Sequence, residues 1–190
     1  NGGTLNNKLS TVDLKGDSIY TYTSSPSTTV NGYTAITTSG DENYGYYVAG
    51  DLTNESAGTI DLTGGIGNVG IYSYYTSGSG TATNKAVIKV GATDASNSRY
   101  GIGMAAGYSL LDNVTSKYTT VAKGHIVNEG DIYVNDDNSV GMFASGNGSM
   151  AENRGKIYIN GKNAIGMYLE NKAVGINHSS GEIIINPSAT

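Results

Sequence analysis

The chain has 190 residues, with 28 glycines, 15 tyrosines, two prolines, no cysteine and a net charge of −5. The lack of cysteine excludes disulfides and thiolate metal sites. Lys and Arg are scattered singly, which argues against a nucleic-acid partner, and no apolar run approaches the roughly 18 residues of a membrane-spanning helix. Frequent Tyr, Ile, Val and Thr, without long helical patterns, predict an all-β protein.

The first 40 residues carry the weakest pattern. Residues 18–22 and 30–37 favour strands, and residues 24–27 (Ser-Ser-Pro-Ser) favour a loop. We therefore expect irregular first coils over residues 1–40.

Residues 40–107 repeat short strand-like segments with a glycine at a similar position. The phrases are Tyr-Gly-Tyr at 44–46, Val-Gly-Ile-Tyr at 69–72 and Tyr-Gly-Ile-Gly-Met at 100–104. Residues 59–62 and 86–90 alternate like strands and precede two of these phrases. A repeating unit is therefore expected in this region.

The spacing then lengthens abruptly. Val90 and its counterpart Val134 are 44 residues apart, whereas other counterparts are separated by about 25. The excess predicts an insertion over 107–123, and insertions in repeat proteins form loops or excursions on one face.

Residues 124–190 show the repeat most clearly. Gly130, Gly155 and Gly181 lie 25 and 26 residues apart in similar phrases, and a second phrase repeats at 139–143 and 164–168. A fixed period of this kind is typical of a solenoid, and 25 residues are too few for a βαβ unit. We predict a single domain over 1–190, a right-handed parallel β-helix of about 25 residues per coil, with regular coils over 124–190.

Alternation along the repeated strands predicts which residues face the core. The expected inward set is Ile132, Val134, Val140, Met142, Ile157, Ile159, Ile165, Met167, Ile183 and Ile185. Two asparagine columns also align, and their amides are expected to hydrogen-bond from coil to coil; they are Asn128, Asn153 and Asn177, and Asn135, Asn160 and Asn186.

The phrases at 155–161, 163–168 and 173–183 resemble the passenger region of large fusobacterial autotransporter adhesins. The resemblance implies a type V secreted protein with an N-terminal signal, a long β-helical passenger exposed at the cell surface and a C-terminal outer-membrane barrel that anchors it. Since neither end is recognisable here, we expect the chain to be a segment of a longer passenger.

The motifs that could carry catalysis are weak. The Gly-x-Gly-x-x-Gly phrase at 65–70 is followed by a strand-like segment, whereas a dinucleotide site needs a helix there. His125 and His178 show neither triad nor metal-ligand spacing, and His178 falls in a turn where the preceding repeat has Arg154. That turn is expected to be exposed surface.

Acidic residues would be required by a glycan-cleaving enzyme, in which carboxylates converge on one groove. Asp136 and Asp137 are the only local pair, and their stacked counterparts are Gly161 and Lys162. The acidic residues at 41–42 fit a solvated turn better than a calcium site. The sequence therefore predicts no cofactor, no metal and no enzymatic activity, with a glycan-active enzyme as the weaker alternative.

Exposed aromatics and the insertion are the candidate binding groups, because aromatic rings contact sugars and anchor protein interfaces. The alternative is an aromatic ladder that only stabilises the sheet. The candidate residues are Tyr108, Asp112, Asn113, Tyr118, Tyr133 and Tyr158. The resulting hypothesis is an adhesin segment that binds a host or bacterial surface protein or glycan; the alternative is a spacer without a ligand.

Overall fold

The computed structural model describes residues 2–186, so the outer ends of the predicted ranges 1–190 and 124–190 lie outside the described residues. It is a parallel β-solenoid of about seven coils, which confirms the predicted all-β fold and the period of about 25 residues. Each full coil contributes one strand to each of three parallel sheets.

The three sheets run side by side along the solenoid. Sheet A contains β1 (Thr4–Asn6), β4 (Thr29–Gly32), β7 (Asp51–Asn54), β10 (Ala82–Asn84), β15 (His125–Asn128), β18 (Met150–Asn153) and β21 (Val174–Asn177). Sheet B contains β2 (Thr11–Leu14), β5 (Ala35–Thr38), β8 (Ile60–Asp61), β11 (Val87–Val90), β16 (Asp131–Val134), β19 (Lys156–Ile159) and β22 (Glu182–Ile185). Sheet C contains β3 (Ile19–Thr23), β6 (Tyr44–Val48), β9 (Val69–Ser73), β12 (Ile102–Ala106), β17 (Val140–Ser145) and β20 (Ile165–Glu170).

A two-stranded hairpin and one short helix lie outside the three sheets. The strands β13 (Tyr108–Asp112) and β14 (Lys117–Ala122) pair with each other as an antiparallel hairpin within the segment assigned to an insertion. Val90 pairs directly with Val134, so the coil closes despite the extra residues. The one helix among residues 2–186 is the 3-10 turn Ala95–Asn97, and no helix in that range has the length and apolarity to cross a membrane.

Residues 4–38, for which the sequence predicts irregular coils, instead form five strands in the common register. Val12 pairs with Ile36, and Thr21 with Tyr46. The repeat is obscured here because Tyr20 stands where the next coil has Gly45, and Thr21 where later coils carry large apolar side chains. The backbone pattern therefore persists where the sequence pattern fades.

The core is a set of columns in which each inward side chain contacts its counterpart one coil away. Ile132 and Ile157, predicted to face inward, are fully buried, as are Ile36, Ile60 and Ile88 in the same column. Ile183 and Ile185 are exposed, because they belong to the last described coil and no further described coil packs on them.

The predicted inward orientation of Val140 and Ile165 is wrong. Ile165 is 40% exposed and Val140 only 6%, but both residues line a groove on the outside of sheet C and neither belongs to the core cluster. The reason is a bend at the intervening glycine: a Cβ on Gly141 would lie 3.0 Å from a methyl of Ile157, so Gly141 and the buried Met142 both face inward. Strict alternation fails where two successive residues share one face.

The glycines of this column are required by the stacking. A Cβ on Gly70 or Gly103 would stand 2.6 Å from the carbonyl oxygen of the next glycine in the column, and one on Gly141 would stand 2.7 Å from that of Gly166. No side chain fits between backbones at that distance, which explains why the phrase recurs in every later coil.

A buried asparagine ladder runs along the end of sheet A. Its side-chain amides donate to the next amide oxygen at 3.0, 3.0, 3.0 and 2.8 Å, through Asn54, Asn84, Asn128, Asn153 and Asn177. A second ladder joins Asn135, Asn160 and Asn186. Both predicted columns are confirmed, and the ladder satisfies buried polar groups that would otherwise destabilise the fold.

Replacing Ile157 by alanine should lower the free energy of unfolding by about 2–5 kcal/mol, because it removes buried methyls and leaves a cavity in a stacked column. Ile165→Ala, which deletes the same atoms from an exposed position, is the matched control and should cost less than about 1 kcal/mol. Chemical denaturation measures both, and equal losses would contradict the assigned faces.

Candidate functional site

The outer face of sheet C carries two columns without a charged residue, and the one charged residue in its strands is Glu170 at the end of β20. Two columns of residues point outward from its six strands. The first contains Ile19, Tyr44, Val69, Ile102, Val140 and Ile165, and the second contains Tyr22, Tyr47, Tyr72, Ala105, Phe143 and Tyr168. Stacking in register therefore turns a repeated sequence position into a continuous apolar and aromatic surface.

The tyrosines of this surface pack against one another. The ring centroid of Tyr47 lies 4.8 Å from that of Tyr72 and 5.5 Å from that of Tyr22, and Phe143 and Tyr168 stack at 5.8 Å. Burial and the neighbouring phenols raise the pKa of Tyr47 to about 12. Its hydroxyl therefore stays protonated and uncharged at neutral pH.

Ala105 interrupts the aromatic column and is nearly buried. The hydroxyl of Tyr72, one coil earlier, donates a hydrogen bond of 3.1 Å to the carbonyl of Gly107. The small side chain of Ala105 thus leaves room for the ring of Tyr72 to reach Gly107, where the hairpin starts.

A groove of about 570 Å³ lies on this face over coils four to six. Its lining is mostly apolar, and it consists of Tyr100, Ile102, Asn138, Val140, Phe143, Ile165, Tyr168 and Glu170. Ligand pockets generally combine apolar walls with a few polar groups. The outer face of sheet C therefore has the composition of a contact surface.

The hairpin carries four of the residues predicted to bind a ligand. Tyr118, which is 55% exposed, pairs across the hairpin with Leu111, and Tyr108 lies at its base. The carboxylate of Asp112 accepts hydrogen bonds from the backbone N–H of Val114 and Thr115, and these bonds lower its pKa. Asp112 therefore shapes the turn that holds Asn113 at the hairpin tip.

Exposed apolar side chains give the hairpin an unusual surface for an excursion into solvent. The end of the hairpin that joins the solenoid is held by two contacts. Lys123 forms an antiparallel backbone bridge with Tyr75, and the N–H of Asn147 donates a hydrogen bond of 2.8 Å to the hydroxyl of Thr120. The large exposed residues are Tyr108, Leu110, Leu111, Val114, Tyr118 and Val121. A fixed element with exposed apolar groups is suited to contact a partner.

Tyr133 and Tyr158 lie elsewhere, on the outer face of sheet B. Their rings stack almost parallel, with centroids 4.6 Å apart and 5° between planes. Each ring covers one face of the other, which is the arrangement of a stabilising ladder. The structure therefore places Tyr108, Asp112, Asn113 and Tyr118 on one hairpin, with Tyr108 at its base and Asp112 near its tip, and separates them from the pair on sheet B.

His125 and His178, the latter expected in an exposed turn, converge on a carboxylate that the sequence did not single out. Glu152 is 7% exposed, and its oxygens lie 2.7 Å from His125 Nε2 and 2.6 Å from His178 Nε2. Arg154 donates to the same carboxylate at 2.9 Å. The missed signal is a single charged residue in a column whose other members are uncharged, namely Asn6, Asn31, Thr53, Thr83, Val127 and Ile176.

This cluster joins side chains from three successive coils. Each oxygen of Glu152 is already engaged by donors, and among residues 2–186 no group of three His, Cys, Asp or Glu residues has the arrangement of a metal site. The arrangement is that of a charged cross-link between coils.

Burial raises the pKa of Glu152, but hydrogen bonds from His178, His125 and Arg154 outweigh it and lower the pKa to about 2 from 4.5. Because the folded pKa is depressed, the stabilisation is complete above about pH 4.5 and is lost as the pH falls through 2.

Glu152→Gln should therefore destabilise the chain by about 1–3 kcal/mol at pH 7, through the loss of charge-assisted hydrogen bonds. The difference should shrink as the pH approaches 2. Urea unfolding at pH 7, 5 and 3 measures it, with Glu182→Gln, an exposed ion-pair partner of Lys156, as the control near zero. A difference independent of pH would contradict the role of the carboxylate.

The other candidate motifs are occupied by structural contacts. Gly70 of the glycine phrase lies within strand β9, so no helix follows it. Asp41 pairs with Arg99 at 3.1 Å, and Asp137 accepts a hydrogen bond from the N–H of Lys162 at 2.7 Å. Burial and the charge of Asp137 raise the pKa of Asp136.

The model of one protein family, the BigA third pectate lyase-like domain, matches residues 1–186. No curated protein and no solved structure matches the chain.

Proposed function

We propose, from the premise that the chain belongs to the family of BigA third pectate lyase-like domains, that it is a binding segment of a bacterial surface adhesin. In this proposal the solenoid is part of an autotransporter passenger of the fusobacterial type, exposed outside the cell and anchored by an outer-membrane barrel. Its partner is a protein or glycan on a host or bacterial surface.

The observation that carries the proposal is the outer face of sheet C. The inward columns are fixed by packing, whereas the outward columns of this sheet keep Tyr22, Ile165 and Tyr168 exposed in its two terminal strands, β3 and β20. Burying exposed aromatic and aliphatic side chains against a partner is favourable. Aromatic residues are also enriched at protein interfaces. A contact surface explains their placement better than stability does.

The hairpin supplies a second contact element, at the C-terminal end of an inner strand of sheet C. It starts directly after β12 and presents Leu110, Val114 and Tyr118 to solvent. Coil positions are constrained by their neighbours above and below, whereas an excursion is not, so partner-specific variation is expected to concentrate there.

Two alternatives make different predictions. A spacer would show no saturable attachment by the isolated chain. A glycan-active enzyme is the second alternative, favoured by the acidic groove that contains Asp136 and Asp137; it would release reducing or unsaturated ends from a polysaccharide.

The proposal predicts that the chain binds target cells saturably without turnover. Ile165→Ser with Tyr168→Ser should reduce attachment about tenfold or more, since both residues line the groove of sheet C. Leu9→Ala, which shortens an exposed apolar side chain away from sheet C, is the matched control and should leave attachment unchanged. Labelled chain binding to host epithelial and bacterial cells is the measurement.

The contribution of the hairpin is measured by replacing residues 110–119 with Asn-Gly, which joins the paired Ser109 and Thr120 by a two-residue turn. Reduced attachment by a folded variant assigns contacts to the hairpin. Unchanged attachment removes the hairpin and leaves the outer face of sheet C as the one proposed contact surface. Unchanged attachment by both the hairpin variant and the sheet C variant would contradict the proposal.

A further inference from the structure

A small basin opens beside sheet C in the first three coils, at the side where the chain passes to sheet A. It has a volume of about 220 Å³. Four tyrosines contribute to its lining, together with serine and threonine residues. The lining residues are Tyr22, Thr23, Ser24, Pro26, Tyr47, Ala49, Tyr74, Tyr75, Thr76 and Ser77. We call this site the tyrosine basin.

The tyrosine basin exists because neighbouring coils turn with different lengths of chain. The second coil passes from β6 to β7 through Ala49 and Gly50 alone, whereas its neighbours use residues 24–28 and 74–81. The two longer loops meet above it, since a Cβ on Gly78 would touch the ring of Pro26. The short connection of the second coil, flanked by the longer loops of the first and third coils, therefore leaves a depression that the two loops enclose.

The rings around the tyrosine basin are held by one another. Tyr47 lies 5.5 Å from Tyr22 and 5.7 Å from Tyr74, measured between ring centroids. Tyr22 is 62% exposed although it is large and apolar. A set of rings positioned by mutual contacts, with exposed surface left over, is preorganised for a flat apolar partner.

The uncharged lining of the tyrosine basin restricts the chemical class of its ligand. None of its ten lining residues is charged. A phosphate or an acidic sugar would lack a cationic partner, and a cationic ligand would lack a carboxylate. Tyrosine faces pack against the C–H faces of a sugar ring, while the hydroxyls of Ser24, Thr76 and Ser77 can hydrogen-bond its hydroxyl groups.

We infer that the tyrosine basin binds one uncharged hexose ring of a surface glycan. The volume is below the roughly 300–1,000 Å³ of pockets for drug-sized ligands, which suits a single ring. The remaining sugars of such a glycan would lie along Tyr47 and Tyr72 on the outer face of sheet C. This inference rests on the proposed function, because it names a ligand class for the same face.

The test uses the whole chain and uncharged oligosaccharides of glucose, galactose or mannose, with saturation-transfer NMR and calorimetric titration. At least one of them should bind saturably, and Tyr22→Ala and Tyr74→Ala should each weaken that binding at least fivefold. Tyr22 is exposed, so its replacement should leave the melting temperature unchanged. Leu9→Ala is the control and should bind like the original chain.

Three results would overturn the inference. They are no binding of any uncharged oligosaccharide, binding that both tyrosine variants leave intact, and binding only of choline or of sialylated or sulfated sugars. If Tyr133→Ala abolishes binding while Tyr22→Ala does not, the sugar site lies on sheet B.

Failure of the inference is distinguishable from failure of the proposed function. Loss of cell attachment in the Ile165 and Tyr168 variant, without any hexose binding, keeps the adhesin role and removes the tyrosine basin. Hexose binding without cell attachment keeps the tyrosine basin and removes the adhesin role.

Discussion

The structure depends on the stacking of each coil on the next in register. The backbones of successive coils pair as parallel strands, and the buried amides of Asn84, Asn128 and Asn153 hydrogen-bond along the same direction. Each residue of the three sheets therefore has its counterpart as a neighbour, so an inward isoleucine stacks on an apolar counterpart, and the glycines of sheet C from Gly45 to Gly166 stack on one another. The repeat in the sequence is the consequence of this constraint.

Stacking also determines where function can lie. Inward positions are committed to packing, and several charged residues make contacts between coils, as with Glu152 and its histidines. Sheet C is different, because its outward columns are aromatic and aliphatic and remain partly exposed. The connections between strands differ in length from coil to coil, with a short turn at Ala49 and a long hairpin after Gly107, and these differences create local pockets and projections.

The period, the fold class and the asparagine columns could be predicted from sequence, because each depends on identical residues recurring at one spacing. The face of Val140 could not, because the bend at Gly141 replaces alternation with two successive inward residues. The cluster around Glu152 was missed because His125 and His178 lie 27 and 26 residues from Glu152, and these residue types do not recur from coil to coil. The tyrosine basin arises from differences in turn length between coils, which no single repeat reveals.

Hydroxyl-radical footprinting of the chain bound to its target surface tests most directly that the outer face of sheet C is the contact surface. The tyrosines supply reporters on the outer faces of both sheet B and sheet C. The account predicts protection of Tyr22, Tyr168 and Phe143, and unchanged oxidation of Tyr133 and Tyr158 on sheet B. Protection of the sheet B pair, with sheet C still oxidised, would contradict it.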